Sequence, residues 1–351
     1  MSAGTSHLAG VIEGYYGRTW DHDTRLAIVS LMADMGLNAF LYCPKSDHYL
    51  RKRWQAHWPE REWGRLQALS DHAAQQAVLF GVGLSPYALY DSYGLAEQAA
   101  LKQKIEQLND LGAPLLALLF DDMPGAIPDL AARQAAIIAD VQHWSKAARI
   151  LVCPTYYSAD PVLEKHFGKR PSGYWAQLGE QLPTEIDLFW TGPRVCSERI
   201  AAADVKDISR TLQRPLVLWD NYPVNDGAVR SRHLYIEPLP ARDPAINRYL
   251  RGHFCNPMNQ AWLSLPALSG LAELCGHPVS QSFLADALGE DTLRLLHRDS
   301  ASFLTAGLDG LDESERARLT RDYRALDSPA AREVVEWLNG EYTFDPACLT
   351  D

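Results

Sequence analysis

The chain is poor in several things, and each shortage excludes a class of protein. It has 351 residues with 44 acidic and 33 basic side chains, a formal charge of -11, and no Lys/Arg-rich block or basic stripe. A phosphate backbone would find no electrostatic footprint here, so no nucleic acid is expected as a partner. No stretch approaches the roughly 20 apolar residues of a membrane span, and the start, "MSAGTSHLAGVIEG", lacks the basic and apolar regions of a signal peptide. The sequence therefore reads as cytoplasmic, with no membrane partner. There are only six cysteines, with no C-x-x-C pair. Cys43, Cys153 and Cys255 lie in apolar runs, which favours reduced, buried thiols over disulfides or a zinc site. No G-x-G-x-x-G occurs at a strand-to-helix turn, which weakens a dinucleotide-binding doubly wound sheet.

What the chain does have is alternation. Strand-like runs fall at 8–17, 37–45, 77–86, 113–122, 148–157, 185–193, 215–221 and 252–257. Between them lie stretches with helical spacing: one follows "DHDTRLAIVSLMADMG", where Asp21 or Asp23 can cap the start and Gly36 end it, and others cover 60–77, 95–111, 128–147, 171–181, 197–213, 243–251 and 260–275. Eight buried strands, each followed by a helix, predict a (β/α)8 TIM barrel over residues 1–276. Strand signals stop there, and 277–351 reads as a small C-terminal helical subdomain. Its best piece is "DSPAAREVVEWLNG", with Ser328 at the N-cap, Pro329 at N1 and Gly340 after the end. These helices would pack on their own barrel or join two copies into a homodimer.

In such a barrel, chemistry sits where the strands end. The strand ends carry Glu13, Gly14, Tyr16, Lys45, Ser85, Asp121, Asp122, Tyr156, Tyr157, Thr191, Gly192, Trp219, Asp220, Asn221 and Asn256. Taken singly these are ordinary: a solvated lysine, a core tryptophan, capping amides. Together they offer an aromatic wall for the C–H face of a sugar and amide and carboxyl groups for its hydroxyls. "LALLFDDM" (116–123) poses the sharpest question, because a strand buried on both faces ends on two adjacent carboxylates. None of the 11 histidines stands at a strand terminus with ligand spacing, so a metal is not expected. A Schiff base through Lys45 lacks any neighbour to lower its pKa. Acid/base work by the pair remains, with the two carboxyls titrating apart. Neighbouring residues on a strand point to opposite sides, which suits one carboxyl protonating a leaving oxygen while the other serves a substrate group such as an N-acetyl at C2.

Seven segments, "GVIEGYYGRTW" (10–20), "LNAFLYCPKSD" (37–47), "LLFDDM" (118–123), "CPTYY" (153–157), "WTGP" (190–193), "WDNYPVND" (219–226) and "NPMN" (256–259), together resemble the family 84 glycoside hydrolases, in family order across the whole barrel. The resemblance implies a retaining exo-β-N-acetylglucosaminidase that needs no cofactor and uses the substrate's own acetamide as nucleophile. By motif position it implies that Asp121 orients the acetamide and Asp122 protonates the departing oxygen. It further implies that Gly14, Lys45, Tyr157, Thr191, Trp219, Asn221, Asp226 and Asn256 bind the sugar. Asp226, in a loop, is placed by the resemblance alone. The implied partner is a GlcNAc-bearing glycoprotein, glycopeptide or oligosaccharide. O-GlcNAc on Ser/Thr is the first reading; hyaluronan- or chitin-derived fragments, and a barrel that binds GlcNAc without turning it over, are the alternatives. Two positions depart from the family pattern: Ser46 where an Asp is usual and Tyr156 where a Glu is usual.

Overall fold

A computed structural model describes residues 7–350. Eight parallel strands close into one barrel in sequence order: β1 (Leu8–Glu13), β2 (Ala39–Tyr42), β3 (Leu79–Leu84), β4 (Leu115–Leu119), β5 (Arg149–Cys153), β6 (Asp187–Trp190), β7 (Leu216–Asp220) and β8 (Leu250–Cys255). β8 closes the ring on β1 through Leu8 opposite Gly252 and Val11 opposite Cys255. Every residue of β1, β4, β5, β6 and β7 is buried, as strands covered by an outer helical ring must be. Such strands read as unbroken apolar runs, which is why all eight were legible.

The helices between them are α1 (His22–Asp34), α2 (Glu60–Gln75), α3 (Leu95–Asp110), α4 (Leu130–Trp144), α5 (Pro161–Phe167), α6 (Tyr174–Gln181), α7 (Ala202–Thr211) and α8 (Leu265–Leu274). Asp21 caps α1 by accepting the Thr24 N–H at 2.8 Å. Two expectations need correction. The segment 243–251 is not an α-helix: Pro244–Tyr249 forms a 3-10 turn, and Leu250 already pairs with Leu216 in the barrel. The ladder claims the last turn that a helix would need. A helix also forms where none was expected, at α5, where Asp160 caps Val162 and Pro161 occupies N1.

After α8 come α9 (Phe283–Leu288), α10 (Glu290–Ala301), the short α11 (Gly307–Gly310), α12 (Glu313–Arg324) and α13 (Pro329–Leu338). They pack on their own barrel. Ser328 caps α13 through the Ala331 N–H, and the fully buried Trp337 donates to the Ser231 carbonyl at 3.1 Å. Glu333 accepts the backbone N–H groups of Trp262 and Leu263, at the start of the α8 segment.

Candidate active site

All ten residues expected at the site line one pocket at the C-terminal rim of the barrel. Gly14 follows β1, Lys45 follows β2, Asp121 and Asp122 follow β4, and Tyr157 and Thr191 follow β5 and β6. Trp219 and Asn221 come from the end of β7, Asp226 from the β7–β8 connection and Asn256 from just past β8. Asp122 and Asn221 are partly exposed; the other eight are buried. A larger cleft, about 940 Å³, is lined by Arg18, Asp47, Trp58, Trp262 and Tyr342 among others. None of the ten residues lines it, and within it Arg18 pairs with Glu336 at 2.9 Å. The convergence of polar groups makes the smaller pocket the candidate site.

The carboxylate pair stands just beyond the strand. β4 ends at Leu119, and Asp122 adopts the left-handed backbone with φ +55°. In an extended strand the two side chains would diverge; leaving the strand through a left-handed residue brings both into one pocket. Their partners differ. The Lys45 ammonium donates to Asp121 Oδ2, while Asp121 Oδ1 is buried with no hydrogen-bond partner. Burial opposes charge on Lys45, but the Asp121 carboxylate, helped by Asp122, holds its pKa above the usual lysine value. A lysine held as ammonium is no Schiff-base nucleophile, which removes that reading.

Asp122 is gripped by phenols instead. Tyr16 donates to Oδ2 at 2.8 Å and Tyr157 to Oδ1 at 3.0 Å. Burial first, and the Asp122 carboxylate second, push both phenols well above the ordinary tyrosine range, so each remains an O–H donor. Asp226 accepts the Tyr16 backbone N–H at 2.7 Å, and burial raises its pKa to about 6. The amides form a chain: Asn256 accepts the Gly14 N–H at 3.2 Å and donates to Asn221, which donates to the Val195 carbonyl, the last two bonds at 2.9 Å. Thr191 donates to the Arg194 carbonyl at 3.2 Å. Trp219 stands edge-on to Phe189, with centroids 5.5 Å apart, and its indole N–H has no partner. Between Trp219 and Asn221, Asp220 points the other way, taking both Arg242 and His253 and so locking the end of β7.

Both departures from the family pattern lie outside this pocket. Tyr156 turns away and donates to the Gly168 carbonyl at 2.5 Å, and Ser46 lines the large cleft. Tyr16 is legible in the sequence only as a strand-end residue, and Arg230 and Cys196, which also line the pocket, carry no sequence signal of their own. Nor does the tail carry one. Cys348 and Thr350 reach into the pocket, where Thr350 hydrogen-bonds Tyr157, and the space left is about 40 Å³. Ligand pockets run to about 300 Å³ and more, so with this segment in place the pocket is smaller than a ligand site usually is. Among the described residues no group of His, Cys, Asp or Glu is arranged to hold a metal ion.

A closed (β/α)8 barrel with paired carboxyls and a tryptophan at its C-terminal rim is an arrangement that glycoside hydrolases use. The sequence model of the β-N-acetylglucosaminidase family matches residues 9–302. The chain belongs to that family, the family 84 glycoside hydrolases. It is 29% identical to the protein O-GlcNAcase of Rattus norvegicus over 262 residues, and to that of Mus musculus over 259. Each match covers 71% of this chain but 28% of the relative, so the match spans little more than a quarter of those proteins. Among solved structures, a mutant of the Thermobaculum terrenum O-GlcNAc hydrolase superposes with a TM-score of 0.76 at 29% identity, covering 95% of this chain and 81% of that one. CpGH84B, at 23% identity and a TM-score of 0.77, shares the fold, with 95% of this chain and 66% of that one covered.

Proposed function

We propose that the chain is a retaining exo-β-N-acetylglucosaminidase that removes terminal β-linked GlcNAc with the substrate's acetamide as nucleophile. The observation that carries this is the division of partners at the pair. Asp121 is ion-paired on one oxygen and offers the other, buried and unpartnered, to a donor such as an acetamido N–H. Asp122 is held by two hydroxyls at the more open side. The acetamide carbonyl oxygen attacks C1, the C1–O bond breaks, and the Asp122 carboxyl gives its proton to the departing oxygen. Asp121 steadies the N–H of the resulting oxazoline. Asp122, now a carboxylate, takes a proton from water as the water's oxygen opens that ring at C1, restoring GlcNAc with the β configuration. In this reading Gly14, Lys45, Tyr157, Thr191, Trp219, Asn221, Asp226 and Asn256 bind the sugar, the mechanism needs no cofactor, and residues 277–351 act as a helical subdomain.

The O-GlcNAcase relatives support a protein or peptide carrying O-GlcNAc on Ser/Thr as the substrate, in the cytoplasm. Six free cysteines fit that compartment, and no helix among the described residues is long and apolar enough to cross a membrane. Hydrolysis of a chromogenic β-GlcNAc glycoside tests the activity, and release of GlcNAc from a modified protein compared with chitobiose tests the substrate. Asp122→Asn is expected to lose about a hundredfold or more on poor leaving groups and far less on good ones. Asp121→Asn is expected to lose activity on all of them. Full activity of either variant contradicts the assignment.

A further inference from the structure

Arg51 belongs to none of the motifs and does not line the pocket, yet it is bound to the reacting pair from behind. It lies in the β2–α2 connection, 6% exposed. Its Nη2 donates to the Asp122 carbonyl at 2.9 Å, and its Nη1 to the Asp121 carbonyl at 3.4 Å. Nη1 also donates to Ser85 Oγ, just past β3, at 2.7 Å, and the guanidinium lies over the Tyr87 ring at 5.3 Å. One side chain thus ties the loops after β2, β3 and β4 together at the backbone of the two aspartates.

The need for such a tie follows from the backbone. A left-handed conformation is unfavourable for an L-residue because its Cβ crowds the following carbonyl, and Asp122 holds it at φ +55°. That conformation is what lets Asp121 and Asp122 face the same pocket. A buried carbonyl in such a turn requires a donor, and a planar guanidinium anchored on Ser85 supplies donors to both carbonyls at once. We propose that Arg51 is a positioning residue that fixes the Asp121–Asp122 turn, acting chiefly on Asp122 because that bond is the shorter and better formed. The proposal rests on the reading of Asp122 as the proton donor.

The test compares wild type with Arg51→Met, Arg51→Lys and Ser85→Ala on β-GlcNAc glycosides of graded leaving-group pKa. If the turn loosens, proton delivery suffers most, so Arg51→Met is expected to lose about a hundredfold on an alkyl glycoside and less than about tenfold on a dinitrophenyl glycoside that departs without a proton. Arg51→Lys should recover part of the loss, and Ser85→Ala should show the same bias more weakly. The same loss on every leaving group makes Arg51 merely structural and overturns the proposal, as does no loss at all. If Arg51→Met fails to fold, the other two variants carry the comparison. A crystal structure of Arg51→Lys or Ser85→Ala gives a readout independent of turnover: Asp122 should shift from its bonds to Tyr16 and Tyr157, and an unmoved turn in both overturns the proposal. An inactive wild type would instead remove the reading of Asp122 as acid.

Discussion

Asp226 shows how a single side chain can weaken the fold and serve the site. Burial raises its pKa to about 6, against an ordinary value of 3.8, while the Tyr16 N–H pulls the other way. A carboxyl whose folded pKa is raised favours the fold below the ordinary value, and that advantage is lost as pH rises through about 6. Asp226→Asn is therefore expected to melt higher than wild type at pH 7.5, with the difference vanishing near pH 4; a constant difference across that range would contradict the burial argument. Binding has the opposite sign. Ionised Asp226 is the better acceptor for sugar hydroxyls, so affinity for a GlcNAc-like inhibitor should fall below about pH 6 in wild type, and titration calorimetry of the variant should lack that limb. Gly14 is fixed by space: a Cβ there would lie 2.2 Å from Trp219 Cζ2. Gly14→Ala should cost about 1–3 kcal/mol through overpacking and displace the indole wall, read as lower thermal stability together with weaker inhibitor binding. At this scale the strand-end residues were legible because each closes an apolar run, whereas Asp226, in a loop, was reached only through the family resemblance. Arg51 was not legible, because nothing in "YLRKRW" separates it from Lys52 and Arg53, and only the fold brings Asp121 and Asp122 to it.

Elements were legible where burial on both faces leaves an apolar signature, unbroken in "LLALL" of β4 and interrupted only by the leading Arg149 in "RILVC" of β5. They were less so where a short segment answers to its neighbours: Pro244–Tyr249 yields to the pairing of β8, and α5 has only seven residues in which to display a period. The last segment has a clearer consequence. With Cys348 and Thr350 in the pocket, a sugar bound there as proposed would compete with the chain's own residues. Removing residues 344–351 should lower KM while changing kcat by less than about twofold, since the competent state no longer has to be freed. An unchanged KM would mean that the segment does not hold the site in solution. The tie between α13 and the barrel also titrates: burial raises Glu333 to about 8. Its contribution is lost as pH rises from about 4.5 through about 8, so wild type should lose thermal stability over that range and level off above it, and Glu333→Gln should flatten that decline.

On the scale of the whole molecule, the barrel gives rigidity where the chemistry needs it. Groups that follow different strands, from Gly14 to Asn256, are set on one rim by closure of the barrel. The central claim is that the carbonyl oxygen of the substrate, steered by Asp121, does the work of a nucleophile. It is tested most directly by kcat/KM on aryl β-glycosides whose N-acetyl group carries zero, one, two or three fluorines, since each fluorine withdraws electrons from that oxygen. The account predicts a steady fall in rate along the series; a rate indifferent to fluorination would contradict it.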